Sequence, residues 1–242
     1  MIPLAHDLGD ETVLVFGGGP VGARKARRFG AEARVVVVSP AFADADFGDA
    51  RRVRAAPAPD EVGAYLDEYE PALVVAATDD PDVNAAAARA AGERGALVNR
   101  ADGGDATDGR TVAVPATVEE GDVTVAVSTG GTSPALARRL RERIEDEVAG
   151  AGAVAAVSGA LRERYRDAGV PPAERRAAVR AVVRADAVWR AAREGDRDAV
   201  RAAAERVAAE RIGDPDARAA VAVDDEDGVD AGTDADPGGW SA

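Results

Sequence analysis

The chain has 242 residues, a formal net charge of −14, 46% apolar and 4% aromatic residues, no cysteine, and one lysine, Lys25, among its 30 basic residues. That length suggests one or two domains with a real core, and the lack of cysteine excludes disulfides, zinc ribbons and thiol nucleophiles and leaves a cytosolic default. The negative charge argues against nucleic acid as a partner, and no apolar run reaches the ~18–20 residues of a membrane span. The opening "MIPLAHDLGD" lacks the basic start and apolar stretch of a signal peptide. Dense carboxylates with abundant arginine and alanine resemble proteins of a high-salt cytoplasm, where salt screens their mutual repulsion.

In chain order, "TVLVF" (12–16) is a continuous apolar run, as expected of a strand buried on both faces. A glycine loop follows, then a helix from Pro20 to about Phe29. "RVVVVS" (34–39) is a second strand and "RRVRAA" (51–56) a weak third. Residues 59–70 read as helix, "ALVVAAT" (72–78) as a buried strand, and Asp80-Pro81 as the cap and first position of the next helix. "ALVNRA" (96–101) is the fifth strand. This alternation predicts a parallel sheet with helices on both faces, the Rossmann-type α/β arrangement.

After Asp102 the pattern changes. "GGDATDG" is a polar loop, and "TVAVPATV" (111–118) and "DVTVAVST" (122–129), joined at "EEG", predict an antiparallel pair. Ser133-Pro134 starts a helix that runs to about Val148. Residues 150–211 read as three arginine-rich amphipathic helices, broken at "AGVPP" (168–172) and "EGD" (194–196). The final thirty residues carry nine acids against Arg218 alone, and their composition predicts disorder.

Gly17, Gly19 and Gly22 fit G-x-G-x-x-G in the strand–loop–helix context that a dinucleotide fingerprint requires. Gly17 permits the tight turn, Gly19 lets a diphosphate approach the backbone, and Gly22 lets the helix pack close to the strand. The expected cofactor contacts are Gly17, Gly19, Pro20, Val21 and Gly22 from the loop, Ser39, Pro40 and Ala41 after the second strand, and Thr78 after the fourth. The second strand ends in serine and proline, with neither the acid that binds a ribose 2′-hydroxyl nor an arginine for a 2′-phosphate. The motif therefore leaves NAD and NADP both open, and the missing arginine makes NAD the expectation.

The blocks "MIPLAHDL", "VLVFGGGPVGARKAR", "AATDDPDVN", "LVN-x-x-D" and "VAVSTGGTSPALARRLRERIE" resemble the precorrin-2 dehydrogenase / sirohydrochlorin ferrochelatase family of siroheme synthesis. The resemblance is close over residues 1–150 and continues weakly into the helical segment. It implies an NAD-binding domain (1–112), a dimerisation segment (113–149) and a helical tetrapyrrole domain (150–212), followed by the acidic tail (213–242). It also implies a homodimer whose active site lies where these parts meet. The family reaction passes a hydride from precorrin-2 to NAD⁺, giving sirohydrochlorin. In bifunctional members a lyase step then inserts Fe²⁺. Asp102, which closes N-x-x-D, is the acid implied as proton acceptor. The stretch after it departs from the family's "VVDDP" and "FIFPA": it is longer, has Gly103 for a second acid, and has Ala113-Val114 for the aromatic. That change bears more on metal insertion than on oxidation.

Other residues keep two readings. Thr78 and Asp79 sit beside the cofactor crevice or simply enter a helix. Asn99 contacts substrate and orients the Asp102 loop, or satisfies backbone groups. Ser128, Thr129, Gly130, Gly131, Thr132 and Ser133 form a hydroxyl-rich turn suited to a substrate carboxylate, while capping alone accounts for Ser133. Arg24, Lys25 and Arg28 read as a solvated face. The arginines of 138–193 suit a substrate with eight carboxylate arms or internal salt bridges. With one histidine, His6, and no cysteine, no dedicated protein metal cage is expected. The rival to an enzyme is a non-catalytic NAD(H)-sensing module, and a third possibility is a dimeric scaffold without chemistry. A chain ending at Ile212 is expected to keep full dehydrogenase turnover, because the tail cannot bury a core; a folded truncation without turnover would contradict this.

Overall fold

The β-branched runs become the interior of a parallel sheet. The computed structural model describes residues 3–101 and 111–213, so Asp102 and the acidic tail from residue 214 onward lie outside the described residues. The chain divides into two units, Met1–Val114 and Pro115–Ala242.

The first unit holds β1 (Thr12–Phe16), α1 (Pro20–Phe29), β2 (Arg34–Ser39), β3 (Arg51–Arg54), α2 (Val62–Tyr69), β4 (Leu73–Ala76), α3 (Pro81–Glu93) and β5 (Leu97–Arg100). The strands lie in the order β3-β2-β1-β4-β5, all parallel. Because side chains alternate across a strand, β1 feeds both faces. Val13 and Val15 pack with Ala23 and Ala26 of α1, and Leu14 and Phe16 pack with Val62 and Leu66 of α2 and Val83 and Ala87 of α3. Each such fully buried valine or leucine stabilises the fold by about 1.5–3 kcal/mol. The chain leaves β1 toward β2 and β3, then crosses back to β4 on the other side of β1. The carboxyl ends of β1 and β4 thus border the crevice where open α/β sheets bind ligands.

Two boundaries differ from the sequence expectation. The expected strand 111–118 is split. Thr111 bridges Val98 in parallel, and the Val112 amide donates to the Val98 carbonyl at 2.8 Å, so this end of the segment extends the first sheet. Pro115 has no N–H to give a ladder, and the antiparallel hairpin begins after it, as β6 (Ala116–Glu120) and β7 (Val123–Val127). Glu119 and Glu120 are paired strand residues, and the turn is Gly121-Asp122, with Gly121 at φ 58°.

The second difference lies in the helical segment, which holds four helices after α4 (Pro134–Glu147): α5 (Ala151–Asp167), α6 (Pro172–Val183), α7 (Asp186–Glu194) and α8 (Arg197–Ile212). The unexpected break at Arg184-Ala185 carries no glycine or proline. It is held by a tertiary contact: the Trp189 indole N–H donates to the Val183 carbonyl at 2.7 Å, satisfying the end of α6. Leu161, Tyr165, Val182, Val188 and Ala204 are the centre of this second core. Gly150 sits at φ 85°, and a Cβ there would lie 2.9 Å from the Ala192 backbone, so α5 starts hard against α7.

Candidate functional site

The loop after β1 is built from glycines that do different work. Gly17 has φ 117°, and a Cβ on it would lie 2.2 Å from the Ala77 carbonyl oxygen, so the β1 loop is wedged against the end of β4. A Cβ on Gly22 would lie 1.9 Å from the Gly17 carbonyl oxygen; only glycine lets α1 start this close to its strand. Gly18 is equally constrained. Its Cβ position lies 2.3 Å from the Ala41 carbonyl oxygen, and its own carbonyl accepts from the Ala43 amide at 2.8 Å. The sequence motif assigned Gly18 no role; the run of three glycines was the available signal.

Gly19 is the exception, with nothing within 4 Å of where its Cβ would be. It is the N-cap of α1, has extended backbone geometry, caps with no side chain and is followed by Pro20. The first amides of α1 beyond Pro20 are therefore free to donate, and the helix dipole favours an anion there. Open space over Gly19 and uncapped amides beside an exposed Val21 fit a diphosphate. Lys25, the next basic residue but one, is half-buried. Burial, then the charges of Arg28 and Arg24, push its pKa down to about 8, which corrects the fully solvated reading of that residue.

At the end of β2, Ser39 is 7% exposed and its hydroxyl donates to the Ala41 carbonyl at 2.7 Å. Pro40 and Ala41 are exposed. The expectation that no arginine stands here is corrected by strand pairing. Arg54 of β3 is in register with Ser39, and its Nη1 donates to the Pro40 carbonyl at 3.1 Å.

At the end of β4, Thr78 is locked into the entry of α3. Its hydroxyl lies 2.8 Å from Asn84 Oδ1 and 2.9 Å from the Asp80 carbonyl, and Asn84 Nδ2 donates to the Thr78 carbonyl at 2.9 Å. Asp80 accepts from the Asp82 and Val83 amides, as its cap position predicts. Asn84, 1% exposed in an alanine-rich helix, fixes the crevice wall and had no assigned role; a lone amide among alanines facing the core was its signal.

Asn99 is 6% exposed, and its Nδ2 donates to the Val112 carbonyl at 2.8 Å. Its Oδ1 is buried without a partner among the described residues. The amide ties together the two chain segments that flank residues 102–110, and the Ala101 amide donates to the Ala76 carbonyl at 2.9 Å. Ala101, the last described residue before Asp102, is thus joined to the end of β4.

In the second unit, the Ser128–Ser133 turn uses its hydroxyls internally. The Gly130 amide donates to Ser128 Oγ (3.2 Å), the Ser133 amide to Thr129 Oγ1 (3.2 Å), the Thr132 hydroxyl to the Thr129 carbonyl (2.6 Å), and the Leu136 amide to Ser133 Oγ (3.4 Å). Local bonding therefore accounts for all four hydroxyl residues rather than for Ser133 alone. Gly130 and Gly131 have positive φ and open space above them. Several arginines expected either to bind substrate or to pair internally do pair internally: Arg141 with Glu145 at 2.8 Å, Arg139 with Glu142 at 3.6 Å, and Arg164 with Glu205 at 3.3 Å. Among the described residues, no helix is long and apolar enough to cross a membrane.

Residues 4–116 match the family model described as "Putative NAD(P)-binding", and residues 120–147 match that of "Sirohaem biosynthesis protein central". Siroheme synthase 1 of Aeromonas salmonicida (strain A449) is 34% identical over 220 residues, covering 88% of this chain and 45% of that protein. The siroheme synthase of Methylococcus capsulatus is 38% identical over 179 residues, covering 72% of this chain and 36% of that protein. The chain thus spans less than half the length of these relatives. A solved structure described as SirC, precorrin-2 dehydrogenase, shares the fold with a TM-score of 0.61 at 22% identity, over 85% of this chain and 100% of that one.

Proposed function

We propose, from the premise that this chain is a member of the siroheme synthase family carrying its NAD(P)-binding and central segments, that it oxidises precorrin-2 to sirohydrochlorin with NAD⁺. One conjunction carries the reading. A loop shaped for a diphosphate stands at the switch point of the sheet, and the same chain bears the S-x-G-G-x-S-P turn within a segment matched to sirohaem biosynthesis. A nucleotide sensor needs the first and has no use for the second.

Bound NAD⁺ supplies the hydride acceptor. Gly19 and the free amides of α1 hold the diphosphate, while Gly17 and Gly18 keep the loop low enough to leave room. Asp102, two residues after the end of β5 in sequence, takes the proton that the macrocycle gives up as its hydride departs, so two electrons and both hydrogens are accounted for. The Ser128–Ser133 turn meets substrate carboxylates through the Gly131 amide, since its hydroxyls and the Gly130 amide are engaged. Fe²⁺ is a second substrate, entering sirohydrochlorin at the same site with Asp102 accepting pyrrole protons. The absence of cysteine and the carboxylate-rich composition support a high-salt cytoplasm as the setting.

The working form is a homodimer. Helix α4 buries none of its residues, Leu136 is 49% exposed and Leu140 36%, and β6–β7 is a sheet of only two strands, marginal without a further partner. Burying these leucines against a second copy is worth about 1.5–3 kcal/mol each. The Leu136→Asp/Leu140→Asp variant is expected to sediment as a folded monomer while the parent sediments as a dimer. A monomeric parent contradicts the assembly. Oxidation itself is tested by adding precorrin-2 and NAD⁺ to the purified protein and following sirohydrochlorin absorbance, with Fe²⁺ added in a second reaction to read siroheme formation.

A further inference from the structure

The edge strand β3 contributes something that oxidation with NAD⁺ does not use. An open cleft of about 490 Å³ beside the end of β2 is lined by Phe42, Ala43, Asp44, Arg52 and Arg54. The guanidinium of Arg52 lies 5.8 Å from the ring centres of both Phe42 and Phe47, and that of Arg54 lies 5.8 Å from Phe42. The two rings meet edge to face at 5.7 Å, so the arginines rest on a fixed aromatic platform. Arg54 spends one N–H on the Pro40 carbonyl and keeps four further donors. Neither arginine forms an ion pair with a carboxylate among the described residues, although the chain carries 44 acidic residues.

Parallel pairing decides where this charge falls. Ser39 is opposite Arg54, and Val37 is opposite Arg52. In this fold the residue ending β2 faces the adenosine ribose, where an acid binds the 2′-hydroxyl and excludes a 2′-phosphate. Here that residue is a neutral serine whose hydroxyl is turned onto the Ala41 carbonyl, and Gly18 of the diphosphate loop abuts the same Ala41. The geometry points to a 2′-phosphate subsite formed by Arg54 and Arg52, so that the chain binds NADP⁺ at least as tightly as NAD⁺. Asp44, on the cleft wall, opposes this charge and tunes the preference. The inference rests on the reading of the glycine loop as a dinucleotide site and adds the identity of the dinucleotide it admits.

Calorimetric titration of the full chain with NAD⁺ and with NADP⁺ tests it without any turnover. NADP⁺ is expected to bind no more weakly than NAD⁺. Arg54→Ala should shift the ratio of the two dissociation constants toward NAD⁺ by about tenfold or more, the scale of a lost charge-assisted hydrogen bond. Asp44→Asn should shift it the other way. Added salt should weaken NADP⁺ more than NAD⁺. A parent that rejects NADP⁺ by tenfold or more while binding NAD⁺ overturns the subsite alone, as does an Arg54→Ala chain that weakens both dinucleotides equally. Failure of either dinucleotide to bind overturns the subsite together with the reading on which it rests.

Discussion

Asp102→Asn is expected to keep the fold and the affinity for NAD⁺ while lowering precorrin-2 oxidation by ~10²–10⁴, the usual contribution of a positioned base. Asp102 follows Ala101 in sequence, and the Ala101 amide donates to the Ala76 carbonyl at the end of β4, at the carboxyl edge of the sheet near Thr78 and the glycine loop. Asn99 donates to the Val112 carbonyl, which ties together the described segments on either side of residues 102–110. The chain has no cysteine and one histidine, so a carboxylate is the available proton acceptor. Asparagine matches its shape and takes no proton. Unchanged oxidation in this variant would make Asp102 a turn residue. Loss of iron insertion alone would assign it to the metal step, with oxidation proceeding by hydride positioning.

The second large effect separates two glycines that a motif treats alike. Gly17→Ala forces a Cβ to within 2.2 Å of a backbone oxygen at φ 117°. Backbone strain and overpacking each cost about 1–3 kcal/mol, so the variant is expected to lose several kcal/mol of stability, read as a lowered midpoint in denaturant. Gly19→Ala meets nothing within 4 Å and sits at φ −76°, a conformation alanine adopts freely. Its midpoint should stay where it was. Its NAD⁺ affinity should fall by about 10- to 100-fold, because the methyl group occupies the approach of the diphosphate and costs charge-assisted hydrogen bonds. An unchanged NAD⁺ affinity in Gly19→Ala, with only Gly17→Ala destabilised, would mean that the loop is a tight turn over which no diphosphate lies.

The sheet was legible because its signals are local. The runs "TVLVF" and "RVVVVS" became β1 and β2 at the expected residues, Pro20 opened α1, and Asp80-Pro81 opened α3 with the cap in place. What stayed hidden was tertiary. Nothing in "VVRADAVW" punctuates a helix, since the break between α6 and α7 depends on Trp189 reaching back to Val183. The strand expected over 111–118 was an alternating pattern that two different sheets share, divided by Pro115. For the site, the spacing of Gly17, Gly19 and Gly22 was sufficient to find the loop. Arg54 stayed hidden because no arginine directly follows β2 in sequence, whereas the relevant neighbour arrives through the β2–β3 register, fifteen positions later. Asn84 was missed because its role is to hold Thr78.

The central claim is that this chain transfers a hydride out of a tetrapyrrole. It is tested most directly by mixing the purified protein with precorrin-2 and NAD⁺ in molar salt and recording the absorbance of sirohydrochlorin and NADH together. The account predicts that both rise in equal amounts, at a rate proportional to protein, and that Asp102→Asn slows both alike. Binding of NAD⁺ with no protein-dependent NADH in the presence of precorrin-2 would contradict it.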